Sequence, residues 1–242
     1  MLEPLLPFRP IPWQPFSAKT MIPLYDDQPV RRPPIANIAI ILLNALVFIG
    51  WQQNIGVDQS VDLAGFVPLD FKQHEPGATT HLVTSMFLHA GWMHIIGNMW
   101  FLWVFGRNIE DACGHFRYVC FYVLCGAGAT LLYAFGSSDS PIPMVGASGA
   151  ISGVMGAFLL KYPRSTVRAI LPLGYFSRII DLPAIYFLLI YFGMQVVLNF
   201  THQGRHGGGV AYLAHIGGFF AGAILIFIFQ EDRPATPSGN DW

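Results

Sequence analysis

The chain of 242 residues is 53% hydrophobic and only 11% charged, and its mean hydropathy is +0.48. Soluble domains carry about 25% charged residues, so this composition indicates a polytopic membrane protein. The 13 basic and 14 acidic residues leave a net charge of -1, which excludes a strong basic field for binding nucleic acid.

Six segments without Asp, Glu, Lys or Arg are each at least 21 residues long. A helix needs ~20 residues to cross a bilayer, so these segments predict an all-α membrane protein with six spans. We expect a six-span domain over residues 34–230, a proline-rich and irregular cytoplasmic tail over residues 1–33, and a short polar tail over residues 231–242. The uncharged segments are residues 33–57, 76–106, 118–138, 140–160, 182–204 and 206–230.

The distribution of basic residues predicts the orientation. Loops on the cytoplasmic side carry an excess of Lys and Arg, and a cytoplasmic N-terminus places all but Lys72 and Arg205 of the basic residues inside. The loop over residues 162–181, which has three of these arginines, is then cytoplasmic. We expect an integral, multi-pass protein, and its compact six-span form favours a bacterial plasma membrane.

A long outer connection joins the first and second spans. It covers about residues 52–80, and the segment 81–90 then leads into a helix near residues 91–105. Connections of this length are usually functional or partly structured. Two interpretations stay open, a gate or substrate-contact element and a plain solvated loop with an interfacial turn.

His94 and Asn98 lie on one face of the second span because they are four residues apart. Polar side chains at membrane depth are costly and mark functional sites, although hydrogen bonds between helices are an alternative role. His89, five residues before His94, points elsewhere and is expected to anchor the loop by hydrogen bonding.

Ser148 and His215 stand near the outer ends of the fourth and sixth spans. From Ser148 to Lys161 there are 13 residue steps, or ~20 Å at the helical rise of 1.5 Å, which is less than the ~30 Å hydrocarbon core. The same calculation gives ~20 Å from His94 to Arg107 and ~24 Å from His215 to the acidic residue that follows the last span. The three side chains are therefore expected at similar depth, below the outer surface.

Small residues on the fourth and sixth spans predict close helix packing. Gly149 and Gly153 form a stripe on the fourth span, and Gly218 and Gly222 have the G-x-x-x-G spacing on the sixth. With Gly146, they are interpreted as helix-packing glycines. Close approach is also what a hydrogen bond between Ser148 and His215 requires.

Taken in chain order, three motifs resemble those of the rhomboid family of intramembrane serine proteases. They are His94-x-x-x-Asn98, Gly146-x-Ser148-Gly149 and Ala214-His215-x-Gly217-Gly218-x-x-x-Gly222, and the resemblance covers about residues 34–230. It implies that Ser148 is the nucleophile and His215 its general base. It also implies an oxyanion hole formed by His94, Asn98 and the backbone N–H of Ser148.

Two positions depart from the family pattern. Many members carry Trp-Arg in the first outer loop, where this chain has Thr80-His81, and many bacterial members carry tyrosine at the position of Ser152. The first departure affects the stability expected for the loop, and the second affects the orientation expected for His215. No Asp or Glu is expected within a span, so the sequence predicts a Ser-His dyad rather than a triad.

The resemblance implies transmembrane-helix substrates within the lipid bilayer, cleaved near the outer face, without a metal, cofactor or nucleic acid. The leading alternative is a catalytically silent rhomboid-like protein that binds transmembrane clients. A transporter built around His94 and His215 is disfavoured, because no intramembrane carboxylate accompanies these histidines. Two histidines in the outer loop over residues 201–209 form a weaker metal-binding option.

Overall fold

The computed structural model describes residues 21–173, 176–202 and 212–231. The first 20 residues of the predicted N-terminal tail, most of the histidine-containing outer loop and the last 11 residues of the C-terminal tail lie outside this part of the chain. The division into two tails and a membrane domain stays a prediction.

The described chain is mostly helical. The first apolar helix consists of α1 (Ile35–Leu46), a π-helical segment (Val47–Gln52) and α2 (Gln53–Ile55). Short helices follow in the outer connection: α3 (Val57–Ala64), α4 (Pro68–Lys72), α5 (Ala78–Thr84) and a 3₁₀ turn (Ser85–Phe87). The remaining helices are α6 (Trp92–Cys113), α7 (His115–Gly136), α8 (Ser148–Lys161), α9 (Ala184–His202) and α10 (Tyr212–Phe229).

Three described helices are long and apolar enough to cross a membrane, namely Ile35–Ile55, His115–Gly136 and Tyr212–Phe229. Ser148–Lys161 and Ala184–Met194 are shorter apolar helices. The prediction of a helical membrane fold is confirmed, and the count of six spans stays a prediction. We call the end of the bundle with Ser148 the outer end and the end with Arg107 the inner end.

Helix α8 lies in the centre of the bundle and packs against α6, α7, α9 and α10. Nearly all of its side chains after the first turn are buried, because its residues are small or apolar on every face. Its position explains why a helix of 14 residues shows no amphipathic pattern. A helix that is surrounded by other helices needs no polar face.

A three-stranded antiparallel sheet at the inner end corrects two expectations. Residues 22–26, expected in an irregular tail, form β1 (Ile22–Asp26). The loop over residues 162–181 contains β2 (Thr166–Leu173) and most of β3 (Phe176–Pro183), and the strand order is β1-β2-β3. The sheet forms because one face of β2, including Val167 and Ala169, is buried in the same core as helix α9.

Helix α6 is longer than predicted, since it continues past residue 105 to Cys113. Its inner end carries Glu110, which is 1% exposed, and Asp111, which is 7% exposed. The Glu110 carboxylate accepts hydrogen bonds from the backbone N–H groups of Ala36 (2.8 Å) and Asn37 (2.7 Å). A helix start leaves four such groups without intrahelical partners, so Glu110 caps α1 from a neighbouring helix.

We expect Glu110→Ala to lower the free energy of unfolding by about 3 kcal/mol, because it leaves two buried N–H groups at the start of α1 without an acceptor. Thermal unfolding of the detergent-solubilised protein measures this loss. Asp139→Ala removes a carboxylate from an exposed salt bridge with Lys72 and is the matched control, with no measurable change expected. Equal melting temperatures of the two variants would contradict the capping role.

Candidate active site

Ser148 and His215 form a hydrogen-bonded pair at the outer end of the bundle. Ser148 is the first residue of α8, and His215 lies in the first turn of α10. The distance from Ser148 Oγ to His215 Nε2 is 2.8 Å. His215 is 8% exposed and Ser148 is half-buried, so the pair is shielded by the bundle while the serine stays accessible. This is the geometry of a hydroxyl with a general base within reach.

Glycines allow α8 and α10 to approach closely enough for this hydrogen bond. A Cβ atom on Gly218 or Gly222 would collide with the backbone carbonyl of Gly149 or Gly153, respectively. Gly149 itself faces Ala129 of α7, where an added Cβ would come within 2.7 Å of the alanine Cβ. The glycines that the sequence predicted as packing residues on α8 and α10 therefore lie in close backbone contacts next to Ser148 and His215.

The outer connection positions the loop that leads into Ser148. Phe66 and Met144 form a two-bond backbone bridge with N to O distances of 3.0 and 2.8 Å, and Leu69 N–H donates to Ser140 C=O. Gly146 N–H donates to Ser85 C=O over 2.9 Å. The outer connection is thus structured and supports residues 137–147, a role that neither open interpretation of its sequence specified.

His94 lies beside Gly146 with one nitrogen already engaged. The backbone N–H of Ala90 donates to His94 Nδ1 over 3.3 Å, so the neutral ring carries its proton on Nε2. A Cβ atom on Gly146 would lie 2.8 Å from that Nε2 atom. Gly146 has φ of 123°, which glycine adopts without strain, and its lack of a side chain leaves the space that the imidazole occupies.

Asn98 completes a set of donors next to the serine. It is 8% exposed, and its Nδ2 atom has no hydrogen-bond partner among the described residues. The same Nδ2 lies 3.5 Å from the position of a Cβ atom on Gly146. His94 Nε2 and Asn98 Nδ2 therefore lie on the same side of Gly146, two residues before Ser148 and the start of α8. Donors in this arrangement suit a developing negative charge on oxygen.

The comparisons with known proteins identify the family of this chain. The rhomboid domain matches residues 76–232. The chain belongs to the rhomboid family. It is 31% identical over 193 residues to Rhomboid protease GluP of Bacillus subtilis (strain 168), which covers 79% of this chain and 35% of that protein.

Two plant rhomboids show similar relationships. RHOMBOID-like protein 5 of Arabidopsis thaliana is 29% identical over 154 residues, which covers 64% of this chain and 45% of that protein. Rhomboid-like protein 11, chloroplastic, from the same plant is 26% identical over 203 residues, covering 81% of this chain and 66% of that protein. This rhomboid chain therefore spans between 35% and 66% of the length of these three relatives.

The structure shows which contacts are made at the two positions that depart from the rhomboid pattern. Ser152 is 3% exposed within the bundle. Ser152 provides no aromatic ring for His215, but Tyr212 of the same helix does. Its ring packs edge-on against the imidazole, with centroids 6.3 Å apart. Thr80 donates to Gly77 C=O, and Thr84, one turn later, donates to Ala64 C=O. The Thr84 bond joins α5 to the end of α3, whereas the Thr80 bond stays within the start of α5.

Three features near the site were not predicted from the sequence. They are the Gly146 bond to Ser85, the Ala90 bond to His94 and the position of Tyr212. His89 was expected to anchor the loop and to point away from His94. The His89 backbone exchanges hydrogen bonds with the Gln52 side chain, whereas its buried ring nitrogens have no partner among the described residues. His89 thus anchors the loop through its backbone and not through its ring. Its ring packs edge-on against His94, with centroids 5.2 Å apart.

We expect Gly222→Ala to separate α8 from α10, because the added methyl group would meet the rigid backbone of Gly153. Overpacking of this kind costs about 1–3 kcal/mol, which thermal unfolding measures. Gly193→Ala in α9 is the matched control, since a Cβ atom there has nothing within 4 Å. An unchanged melting temperature of Gly222→Ala would contradict the tight contact.

Proposed function

We propose that this chain is an intramembrane serine endopeptidase that cleaves transmembrane-helix substrates near the outer face of the membrane. The observation that carries the proposal is the 2.8 Å hydrogen bond between Ser148 Oγ and His215 Nε2 in a member of the rhomboid family. Members of this family are generally intramembrane serine proteases. The chain then has a cytoplasmic N-terminus, and a bacterial plasma membrane is the proposed location.

Ser148 is the nucleophile in this mechanism. His215 Nε2 accepts the hydroxyl proton while Ser148 Oγ attacks the carbonyl carbon of the scissile peptide. The tetrahedral intermediate collapses as His215 returns the proton to the departing amine, and an ester of Ser148 remains. Water then attacks the ester with His215 again as base, which releases the second product and restores the serine.

The negative charge on the tetrahedral oxygen is stabilised by three donors. They are His94 Nε2–H, Asn98 Nδ2–H and the backbone N–H of Ser148. The unpartnered Nδ2 of Asn98 supports this role, because a buried donor without an acceptor gains most when the oxyanion forms. The Ala90 N–H supports it as well, since its bond to Nδ1 favours the tautomer in which Nε2 donates.

A dyad suffices for this arrangement. The buried carboxylates of α6 stand at its inner end, and Glu110 follows Asn98 by 12 residues, or ~18 Å along the helix. Glu110 is also occupied by the start of α1. These carboxylates therefore lie far from the imidazole, and the tight packing of α8 against α10 contributes to the orientation of His215.

The depth of the pair determines what the substrate and water must do. Ser148 lies ~20 Å from the inner end of α8, which leaves ~10 Å of a ~30 Å hydrocarbon core above it. Water must therefore enter from the outer side. A substrate helix must also unwind locally, because the carbonyls of an intact helix are engaged in hydrogen bonds and shielded from attack.

We expect a fluorophosphonate probe to label the purified, detergent-solubilised protein at Ser148, since it requires no knowledge of the natural substrate. Labelling should be lost in Ser148→Ala and in His215→Ala, because one removes the nucleophile and the other its base. Ser152→Ala is the matched control, because it removes a buried serine from the same helix. This variant should still be labelled. Fluorescence of the labelled band in a gel gives the readout.

The same experiment separates the two classes of function. Labelling that survives Ser148→Ala would show that another group reacts and would overturn the assignment. A folded wild-type protein without any labelling would favour the alternative, a silent rhomboid that binds transmembrane clients. Reverting Thr80-His81 to Trp-Arg and Ser152 to Tyr would then test whether the departures from the family pattern silence the site.

We expect hydrolysis to depend on the stability of the substrate helix. In proteoliposomes, a model transmembrane substrate with glycine or proline next to the cleavage site should be cut faster than one with leucine at the same positions. The helix-breaking residues lower the cost of unwinding by about 1–3 kcal/mol per residue, which corresponds to roughly 5-fold or more in rate. Equal initial rates for the two substrates would contradict the unwinding step.

A further inference from the structure

The first apolar helix places Gln52 beside the loop that leads into α6. Buried side chains along this helix recur every four residues, at Ile40, Asn44, Phe48 and Gln52. In an α-helix, each step of four residues rotates such a row by ~40°. The π-helical bonds over Val47–Gln52 widen the turn and reduce this rotation, so Phe48 and Gln52 both contact His89.

The Gln52 carboxamide holds the backbone of His89 at two points. Gln52 Oε1 accepts a hydrogen bond from His89 N–H over 2.8 Å, and Gln52 Nε2 donates to His89 C=O over 3.2 Å. We call these two bonds the glutamine clamp. Gln52 Nε2 also donates to Ser60 Oγ over 2.7 Å, and all three residues are fully buried. Water therefore does not compete for these bonds.

The glutamine clamp fixes a peptide group that also contacts His94. His89 C=O and Ala90 N–H belong to one planar trans peptide, so they point in opposite directions. Because the clamp fixes the direction of the C=O, it also fixes the direction of the N–H, which donates to His94 Nδ1 over 3.3 Å. A carbonyl that accepts a hydrogen bond polarises its peptide, so the two bonds strengthen each other.

The position of the proton on His94 depends on this N–H. A neutral imidazole has one donor and one acceptor nitrogen. While Nδ1 accepts from Ala90, the proton is on Nε2, which lies beside Gly146. The opposite tautomer would set a proton on Nδ1 against the Ala90 N–H and would turn a lone pair of Nε2 toward Gly146. A lone pair there would repel an oxyanion.

We propose that Gln52 is a positioning residue, which acts through the His89–Ala90 peptide to keep His94 in the tautomer with a proton on Nε2. The inference rests on the proposed function, because the oxyanion of a serine protease is what this proton would stabilise. Loss of the glutamine clamp frees the peptide to rotate. Both tautomers of His94 then become populated, and the fraction of protein with a donor at Nε2 falls.

The tautomer of His94 can be measured without a substrate. The full chain, labelled with ¹⁵N-histidine and held in detergent micelles, gives distinct NMR signals for protonated and unprotonated imidazole nitrogens. The His94 signals are assigned by their loss in His94→Gln. We expect wild-type His94 to have a protonated Nε2 and an unprotonated Nδ1 at neutral pH. The opposite pattern would overturn the proposal, and this measurement needs no variant of Gln52.

Gln52→Met removes the glutamine clamp and keeps the length of the side chain. We expect the two His94 nitrogen signals to move toward each other as the tautomers mix. The rate constant for fluorophosphonate labelling of Ser148 should fall about 3-fold or more, which is less than the about 100-fold cost of removing an oxyanion donor completely. Asn44→Leu is the matched control, because it removes a buried carboxamide from the same helix whose Nδ2 bonds only Ile40 C=O. Both readouts should stay as in wild type.

Ser60→Ala is a milder variant that removes one contact of the Gln52 amide and leaves the clamp atoms in place. It should change both readouts in the same direction but by less, and it replaces Gln52→Met if that variant does not fold. Unchanged His94 signals in the folded variant would overturn the proposal, and so would shifted signals with an unchanged labelling rate. A wild-type protein that is not labelled would instead contradict the proposed protease, while the histidine signals would still decide whether Gln52 positions His94.

Discussion

The close contact between α8 and α10 is the constraint on which the site depends. Gly149 and Gly153 present their carbonyls to the hydrogens of Gly218 and Gly222, and Gly156 meets the backbone of α10 one turn further. Helix pairs with ordinary side chains in the contact stay 8–10 Å apart at their axes, whereas glycines allow a closer approach. The 2.8 Å distance between Ser148 Oγ and His215 Nε2 is a consequence of this packing and needs no metal or ion pair to explain it.

A second constraint links the start of α8 with the start of α6, the helix that carries His94 and Asn98. Gly146 precedes Ser148 by two residues, and its N–H is bonded to Ser85 in the turn that precedes the His94 helix. One backbone hydrogen bond thus joins the entry to α8 with the entry to α6. The positive φ of Gly146 directs that N–H toward Ser85 without placing a side chain against His94. Glycine at this position satisfies both requirements, which a residue with a Cβ atom does not.

The parts of the fold that sequence reasoning predicted are those with a local signal. Helix α8 begins at Ser148, which agrees with the expectation that this residue lies near the outer end of the fourth span. Ser148, His215, His94 and Asn98 were singled out as candidates because polar side chains in apolar helices are rare and their depth can be counted, and their catalytic roles stay a proposal. The glycine spacing predicted close packing by the same kind of counting.

The parts of the fold that were not predicted depend on contacts between residues that are far apart in the sequence. Strand β1 pairs with a strand more than 140 residues away, and Pro172 within β2 is a residue that normally argues against a strand. The second span was predicted to end near residue 105, whereas α6 continues to Cys113 and buries Glu110 and Asp111 against α1 and the residues before it. The contact between the rings of Tyr212 and His215 can be predicted only if the start of α10 is known. None of these contacts leaves a periodic pattern in one segment.

Helix α6 connects two ends of the bundle that differ in how firmly they are held. At its inner end, Glu110, Asp111 and Arg107 make buried or partly buried charged contacts, which resist separation because each partner would be left unpaired in an apolar setting. At its outer end, the residues around His94 and the loop before Ser148 are held by neutral backbone hydrogen bonds, such as the Phe66–Met144 bridge, and by no ion pair among the described residues except the exposed one between Lys72 and Asp139. Local opening therefore costs less at the outer end than at the inner end. The proposed protease, which would admit a substrate and water from the outer side, would benefit from this gradient, since the outer segments could open while the inner end of α6 keeps His94 and Asn98 in register with α8.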